Sequence, residues 1–353
     1  MNTKSVDAIA NAVLYEGYML YPYHPSSVKN RQRFNFGVLY PPSYTEAQAG
    51  SDASSALTEC LVEGESLTAI EVRVRFLKLV NRSVRKLTAP APRPERMDAF
   101  EPVSLFEVDG KIFTPWQEAI ECEVTVPACS LEALTTAPLE WKFAFPAKEQ
   151  TELLRDATDQ IVGLIARKQD SLQGTVEIDA EHVSPEVFKV QVQVKNLTSL
   201  ENEVGQISRD AAMTRSLVSA HILLGSLDGQ FVSLLEPPEN LKDFAANCRN
   251  VGVWPVLVGA EGARDTMLSS PIILYDYPQI APESPGDLFD GTEIEEILAL
   301  RIMTMTDDEK LEMGNTDDRA RKMLERTETL PMEHLMKLHG TLRELRSLKE
   351  EIP

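Results

Sequence analysis

The chain has 353 residues, 43% of them hydrophobic and 25% charged, with a net charge of −20. That length can bury two or three cores without metal or disulfide support, and the composition excludes wholesale disorder and fibrous repeats. An acidic body repels phosphate backbones and anionic lipid over roughly a Debye length, which argues against nucleic acid and membrane surfaces as partners.

Asp7 and Glu16 interrupt the only apolar run near the N-terminus, and no segment approaches the ~18 consecutive apolar residues that a membrane span requires. The expectation is a cytoplasmic protein. SVDAIANAVLYE, residues 5–16, reads as a short helix with Ile9 and Val13 on one face and Gly17 as its stop. Two prolines then force Tyr21 and His24 into extended geometry, so an arm follows rather than a helix. RFNFGVLY, residues 33–40, reads as a strand, and the small polar residues 45–58 as a surface loop.

Residues 67–80 alternate Val72, Val74 and Phe76 against Arg73 and Arg75, which predicts a half-buried strand. TAPAPRPER, residues 88–96, is a proline-rich linker and suggests a boundary. Further strands are expected over 118–128 and 139–146, then a helix over 148–169 with Leu153, Leu154, Ala157, Ile161, Leu164 and Ile165 at helical spacing. Residues 174–198 make the strongest hairpin signal, and 208–224 read as a second helix capped by Ser208. Strands resume near 230–236, 251–259 and 269–277. VRVRFLKLVNRS and VQVQVKNLTS resemble one another as two related β units would.

From Ala281 the chain turns helical and acidic, with Thr292/Glu295 and Thr306/Glu309 in capping-box spacing and Leu335, Leu338, Leu342, Leu345 and Leu348 along a final helix. The sum is an α+β protein: a mainly antiparallel, sandwich-like β body, two or three packed helices and an acidic helical tail. Its expected divisions are an aromatic and basic N-terminal unit (1–96), a main β-rich domain (97–281) and the helical region (282–353).

Chemistry is sparse. No GxGxxG, P-loop, GxSxG or HExxH occurs, and Cys60, Cys122, Cys129 and Cys248 have no metal-ligand spacing. The expectation is therefore no cofactor, no metal and no catalytic residue to name. Cys122 and Cys129, seven apart, would face opposite sides of one continuous strand, as buried reduced thiols. His221, on an apolar stripe, reads as a core histidine, and His182 as a turn residue. DLFDGTEIEE, residues 287–296, reads as acidic helix capping. The densest cationic run is Arg73, Arg75, Lys78, Arg82, Arg85 and Lys86. Its plainest reading is a solvated strand face, with a docking surface for acidic protein as the alternative.

Residues 15–44 concentrate six of the eight tyrosines beside Phe34, Phe36 and several cations. Tyrosine and arginine bury large areas while keeping a polar handle, so Tyr21, Tyr23, His24, Lys29, Arg31 and Arg33 are the candidate partner-binding residues. The same residues would also suit packing across the chain's own sheet, with arginines stacked on rings, or a catalytic His24 with a neighbouring tyrosine.

Three stretches, YEGYMLYPYHPSSVKNRQRFNFGVLYP, residues 248–302 beginning CRNVGVWPVLVG, and TMTDDEKLEM, together resemble an uncharacterised bacterial protein family encoded beside nickel-iron hydrogenase structural and maturation genes. The resemblance covers about a third of the chain and brings no catalytic residues with it. It implies a non-enzymatic accessory or assembly factor that binds a protein client, a hydrogenase subunit or maturation factor. A structural component of a larger assembly, or an enzyme using the Tyr/His/Arg-rich segment, stands as the alternative.

Overall fold

The computed structural model describes residues 3–18, 33–88, 99–200, 207–280, 299–316, 318–331 and 333. The chain opens with helix α1 (Thr3–Leu14), closed by Gly17 at φ +73°, a conformation that suits glycine. Residues 33–40 are not a strand. Phe34 and Gly37 both have positive φ, which breaks extended pairing, and only Leu39 bridges to another segment, at Leu217. The expected surface loop holds the end of a short helix, α2 (Pro42–Ala47), before strand β1 (Ser55–Glu63).

Strand β2 (Ala69–Leu87) is 19 residues long. After it come β3 (Phe100–Val103), the small hairpin β4 (Phe106–Val108) and β5 (Lys111–Phe113), then β6 (Trp116–Ser130), α3 (Leu131–Thr136) and β7 (Leu139–Phe145). Residues 148–169, expected as a helix, instead form a hairpin of β8 (Lys148–Arg155) and β9 (Ile161–Gln169). Its turn explains the difference. One carboxylate oxygen of Asp156 accepts from the Thr158 amide (2.9 Å), the Thr158 hydroxyl (2.6 Å) and the Gln160 amide (3.0 Å). That Asx turn reverses the chain where a helix would have continued.

The hairpin of β10 (Leu172–Ser184) and β11 (Val187–Asn196) forms as its alternation predicts. The expected helix over 208–224 is realised only as one turn, α4 (Arg209–Met213), capped by Ser208. From Val218 the chain is strand β12 (Val218–Leu227), buried on both faces, so its apolar residues show no period of two. Strands β13 (Gln230–Val232), β14 (Trp254–Leu257) and β15 (Thr266–Ser270) follow, with α5 (Lys242–Ala246) between the first two. β15 stops at Ser270, so most of 269–277 is irregular.

The strands form two large antiparallel sheets, in the orders β13-β1-β11-β10-β7 and β14-β15-β12-β2-β9-β8. β2 organises the second. Along one edge it pairs first with β12 and then with β9, and along the other first with β6 and then with β3. β11, the strand it resembles in sequence, lies in the other sheet. The boundary expected at residue 96 therefore falls inside a sheet: β2, before it, is hydrogen-bonded to β3, β6 and β9, after it, and the described residues from 33 to 278 belong to one compact unit.

The main core lies between the two sheets, with Cys60, Val62, Val72, Val74, Phe76, Val176, Ile178, Phe188, Val190, Ile222 and Leu224 buried in it. Phe76 contacts the rings of Phe143 and Phe145, at 6.2 and 5.6 Å between centroids. On the outer side of the second sheet, α1 buries Val6, Ala10 and Val13 against Leu223, Val256 and Leu268.

A second unit holds the described C-terminal residues. Its helix Asp307–Gly314 starts with the expected capping box. The Thr306 hydroxyl accepts from the Glu309 amide at 3.2 Å, and the Glu309 carboxylate accepts from the Thr306 amide at 2.8 Å. A second helix, Asp318–Glu328, follows, and Lys310 pairs with Glu328 at 2.9 Å. The Thr292/Glu295 capping box, the acidic run 287–296 and the leucine series 335–348 lie outside the described residues.

Truncating Phe76 removes the ring that joins the two sheets and leaves a cavity that strands cannot close. Phe76→Ala is expected to lower unfolding free energy by about 3–5 kcal/mol in a urea titration, and a loss below 1 kcal/mol would place the ring outside the core.

Candidate docking face

Of the six partner-binding candidates, Tyr21, Tyr23, His24, Lys29 and Arg31 lie outside the described residues. Arg33 is internal. Its guanidinium lies 3.7 Å from the Trp116 ring centroid and 4.9 Å from that of Phe34. Nη1 donates to the Tyr18 carbonyl at 3.2 Å and Nη2 to the Gln117 carbonyl at 2.8 Å. A buried cation held by two carbonyls and an aromatic face braces the strand start of β6 and is not available to a client. The described tyrosines of the same stretch also pack inward: Tyr18, Tyr40 and Tyr44 are buried, and the Tyr15 hydroxyl donates to Glu121 at 2.7 Å.

The cationic run of β2 is not a solvated face either. Arg73 pairs with Asp7 of α1 at 3.5 Å and Glu123 of β6 at 3.8 Å. Arg75 donates to Asn11 at 2.7 Å and pairs with Glu121 at 3.3 Å. Arg82 and Arg167 share Glu118, at 3.1 and 2.9 Å. Only Lys86 of the six is exposed. Because β2 is covered along both edges, Arg73, Arg75 and Arg82 are met by the acids of β6 and α1.

His221 belongs to this layer. It faces outward from β12, opposite Arg75 in register and under α1. Nδ1–H donates to the Ser219 carbonyl at 3.0 Å, and Nε2 has no hydrogen-bond partner among the described residues. Burial, with a smaller contribution from the charges of Arg75 and Arg73, pulls its pKa down to about 4. The imidazole is therefore neutral at physiological pH. His182 is exposed but is not a turn residue: it lies near the end of β10, paired in register with Phe188 of β11, its ring 4.1 Å from that of Phe188.

All four cysteines are free thiols, Cys60 and Cys122 buried, Cys129 and Cys248 half-buried. Cys122 and Cys129 do not face opposite ways. β6 carries an extra residue opposite Ile70 and Val72, and this bulge returns Cys129 to the core side beside the row of Cys122, Val124 and Val126. Burial pushes the thiols of Cys122 and Cys248 up to about 11 and that of Cys60 higher still. Among the described residues no three His, Cys, Asp or Glu side chains gather into a metal-ligand set.

Among the strand edges left open are those along one side of the sandwich. Among the described residues β6 is paired only with β2 and β7 only with β10, so both sheets end there in an unpaired strand edge. The two edges are joined in sequence through α3 and in space by Lys78, whose Cα partner is Ile120 of β6 and whose Nζ donates to the Pro146 carbonyl just beyond β7, at 3.4 Å. Apolar side chains emerge along this seam: Ile120 is 37% exposed and Trp141 38%, with Phe143 and Phe145 half-buried behind them. Unpaired backbone flanked by apolar side chains is the geometry onto which an extended chain adds as a further strand.

No family model matches this chain, and no curated protein matches it.

Two expectations follow. Arg33→Glu places an anion against two carbonyls and an aromatic ring, so it should cost about 3 kcal/mol and lower the melting temperature clearly; an unchanged melt would return Arg33 to the surface. For His221 the folded pKa of about 4 lies below the ordinary 6.5, so the unfolded chain takes up the proton first on acidification. Stability is then fully present above pH 6.5 and falls between 6.5 and about 4, by up to roughly 3 kcal/mol. Urea titrations across that window should show the slope in the wild type, and His221→Gln should flatten it.

Proposed function

We propose that this chain is a non-enzymatic accessory or assembly factor whose client docks as an extended segment along the seam between β6 and β7. The observation that carries the reading is the coincidence of two unpaired strand edges with part-exposed Ile120 and Trp141. Backbone pairing supplies affinity at such a site, and the pockets beside the edge choose the client's alternate side chains. The N-terminal candidates Tyr21, Tyr23, His24, Lys29 and Arg31 enter this reading as a second contact.

The family resemblance gives the client its class: a nickel-iron hydrogenase subunit, or a factor that matures one. None of the described helices is long and apolar enough to cross a membrane, and the reading places the protein in the cytoplasm, where such assembly would take place.

The test is affinity purification of the tagged chain from its native cells, followed by identification of bound proteins. A hydrogenase subunit or maturation factor is expected, and Ile120→Lys combined with Trp141→Lys should reduce its recovery at least tenfold while leaving the melting curve in place. Undiminished recovery with the double variant would remove the seam from the interface. Recovery of general chaperones alone would remove the accessory role.

A further inference from the structure

Lys78 stands apart from the other cations of β2. It is 1% exposed, makes one long hydrogen bond to the Pro146 carbonyl at 3.4 Å, and has no ion pair among the described residues. Its strand neighbour across the ladder is Ile120, and Phe76 pairs with Cys122. Lys78 and Cys122 are therefore diagonal neighbours on the same face of two adjacent antiparallel strands. Such positions lie about 7–8 Å apart along the backbone, within reach of a long side chain.

We propose that Cys122 and Lys78 form an oxidative modification site, at which hydrogen peroxide joins Sγ to Nζ and links β6 covalently to β2. In the first step the uncharged Lys78 amine takes the Cys122 proton and the sulfur attacks one peroxide oxygen; the O–O bond breaks, the released hydroxide takes that proton back from Lys78, and a sulfenic acid and one water are formed. In the second the uncharged Lys78 amine attacks that sulfur, the S–O bond breaks, and the leaving hydroxide departs as water with a proton from the amine. Sulfur loses two electrons and the peroxide gains them, so no further oxidant is needed. The product is a sulfenamide that thiol reductants reopen.

The surroundings favour this pair over the others in the chain. Burial lowers the lysine's pKa from its ordinary value, which raises the fraction of nucleophilic amine. Cys122 is 8% exposed on an edge strand, so a small oxidant has a short way in. Cys248 has Lys189 as its neighbouring cation, but that amine is engaged by Glu181 and Glu59 and held above the ordinary lysine range, in its charged form. Cys60, fully buried in the main core, is the least accessible thiol.

The experiment treats the full-length protein with hydrogen peroxide, alkylates the remaining thiols, digests, and maps peptides by mass spectrometry with and without dithiothreitol. The expected product is a peptide pair joining Cys122 to Lys78, lighter than the two free peptides by two hydrogens and lost on reduction. Lys78→Met should abolish the pair and let Cys122 proceed to sulfinic acid. The assignment is overturned if wild-type Cys122 is found as sulfinic acid, or unmodified, at peroxide doses that oxidise Cys129 and Cys248. A pair joined through a retained oxygen overturns the S–N bond. Because the wild type alone decides these outcomes, they stand whether or not the variant folds, and none of them depends on a client binding the seam.

Discussion

A strand that carries six cations between residues 73 and 86 can sit in the middle of a sheet only if acids are brought against it. In this chain β6 brings most of them. Glu118, Glu121 and Glu123 meet Arg82, Arg75 and Arg73, Arg167 shares Glu118, and Asp7 of α1 takes a second contact with Arg73. The register of β2 against β6 is thus fixed twice, once by Val72, Val74 and Phe76 facing the core and once by the pairs of Arg73 and Arg75 with Glu121 and Glu123 on the opposite face. Shifting it by one residue would bury charge in the main core.

This double constraint explains why the two edges of the sandwich differ in character. β14, at one end, holds Pro255, and the Asp276 carboxylate accepts from the Leu257 amide while the Tyr277 amide donates back to the Leu257 carbonyl. Its edge is covered from within the unit, as exposed strands commonly are. β6, at the other end, is committed on one side to β2 and open on the other. Its acids are occupied by arginines, so the outward features of the seam are Ile120 and Trp141 rather than a field of charge.

The elements legible in the sequence were those with one wet and one dry face. β2, β6 and the β10–β11 hairpin alternate because each has a face in the main core, and α1 and the Thr306 capping box carry local signals that packing does not override. β12 was illegible because it is apolar on both faces, and a continuous apolar run fits a helix as well as a strand. The β8–β9 hairpin failed for another reason: its leucines and isoleucines fall at helical spacing by coincidence, and the reversal rests on the side chain of one residue, Asp156. The burial of the arginines had a signal that went unused. Glu121 and Glu123 alternate with the same period as Arg73 and Arg75, as charges on two paired strands must. The seam between β6 and β7 had none, because an unpaired edge is a property of sheet order, and order is set by contacts between distant segments.

The topology also decides when the molecule can fold. β1 pairs with β11, more than a hundred residues later, and β2 waits for β12 across a similar interval. On the ribosome, β2 can pair early with β6 and β9, giving half a sheet whose valines and Phe76 lack their cover until β10 and β11 emerge. Pairings so far apart in sequence are slow because the entropy of closing the intervening chain is spent before contacts repay it. The nascent protein therefore passes through a stage with a wide sticky surface, which makes it a strong user of the cell's chaperones.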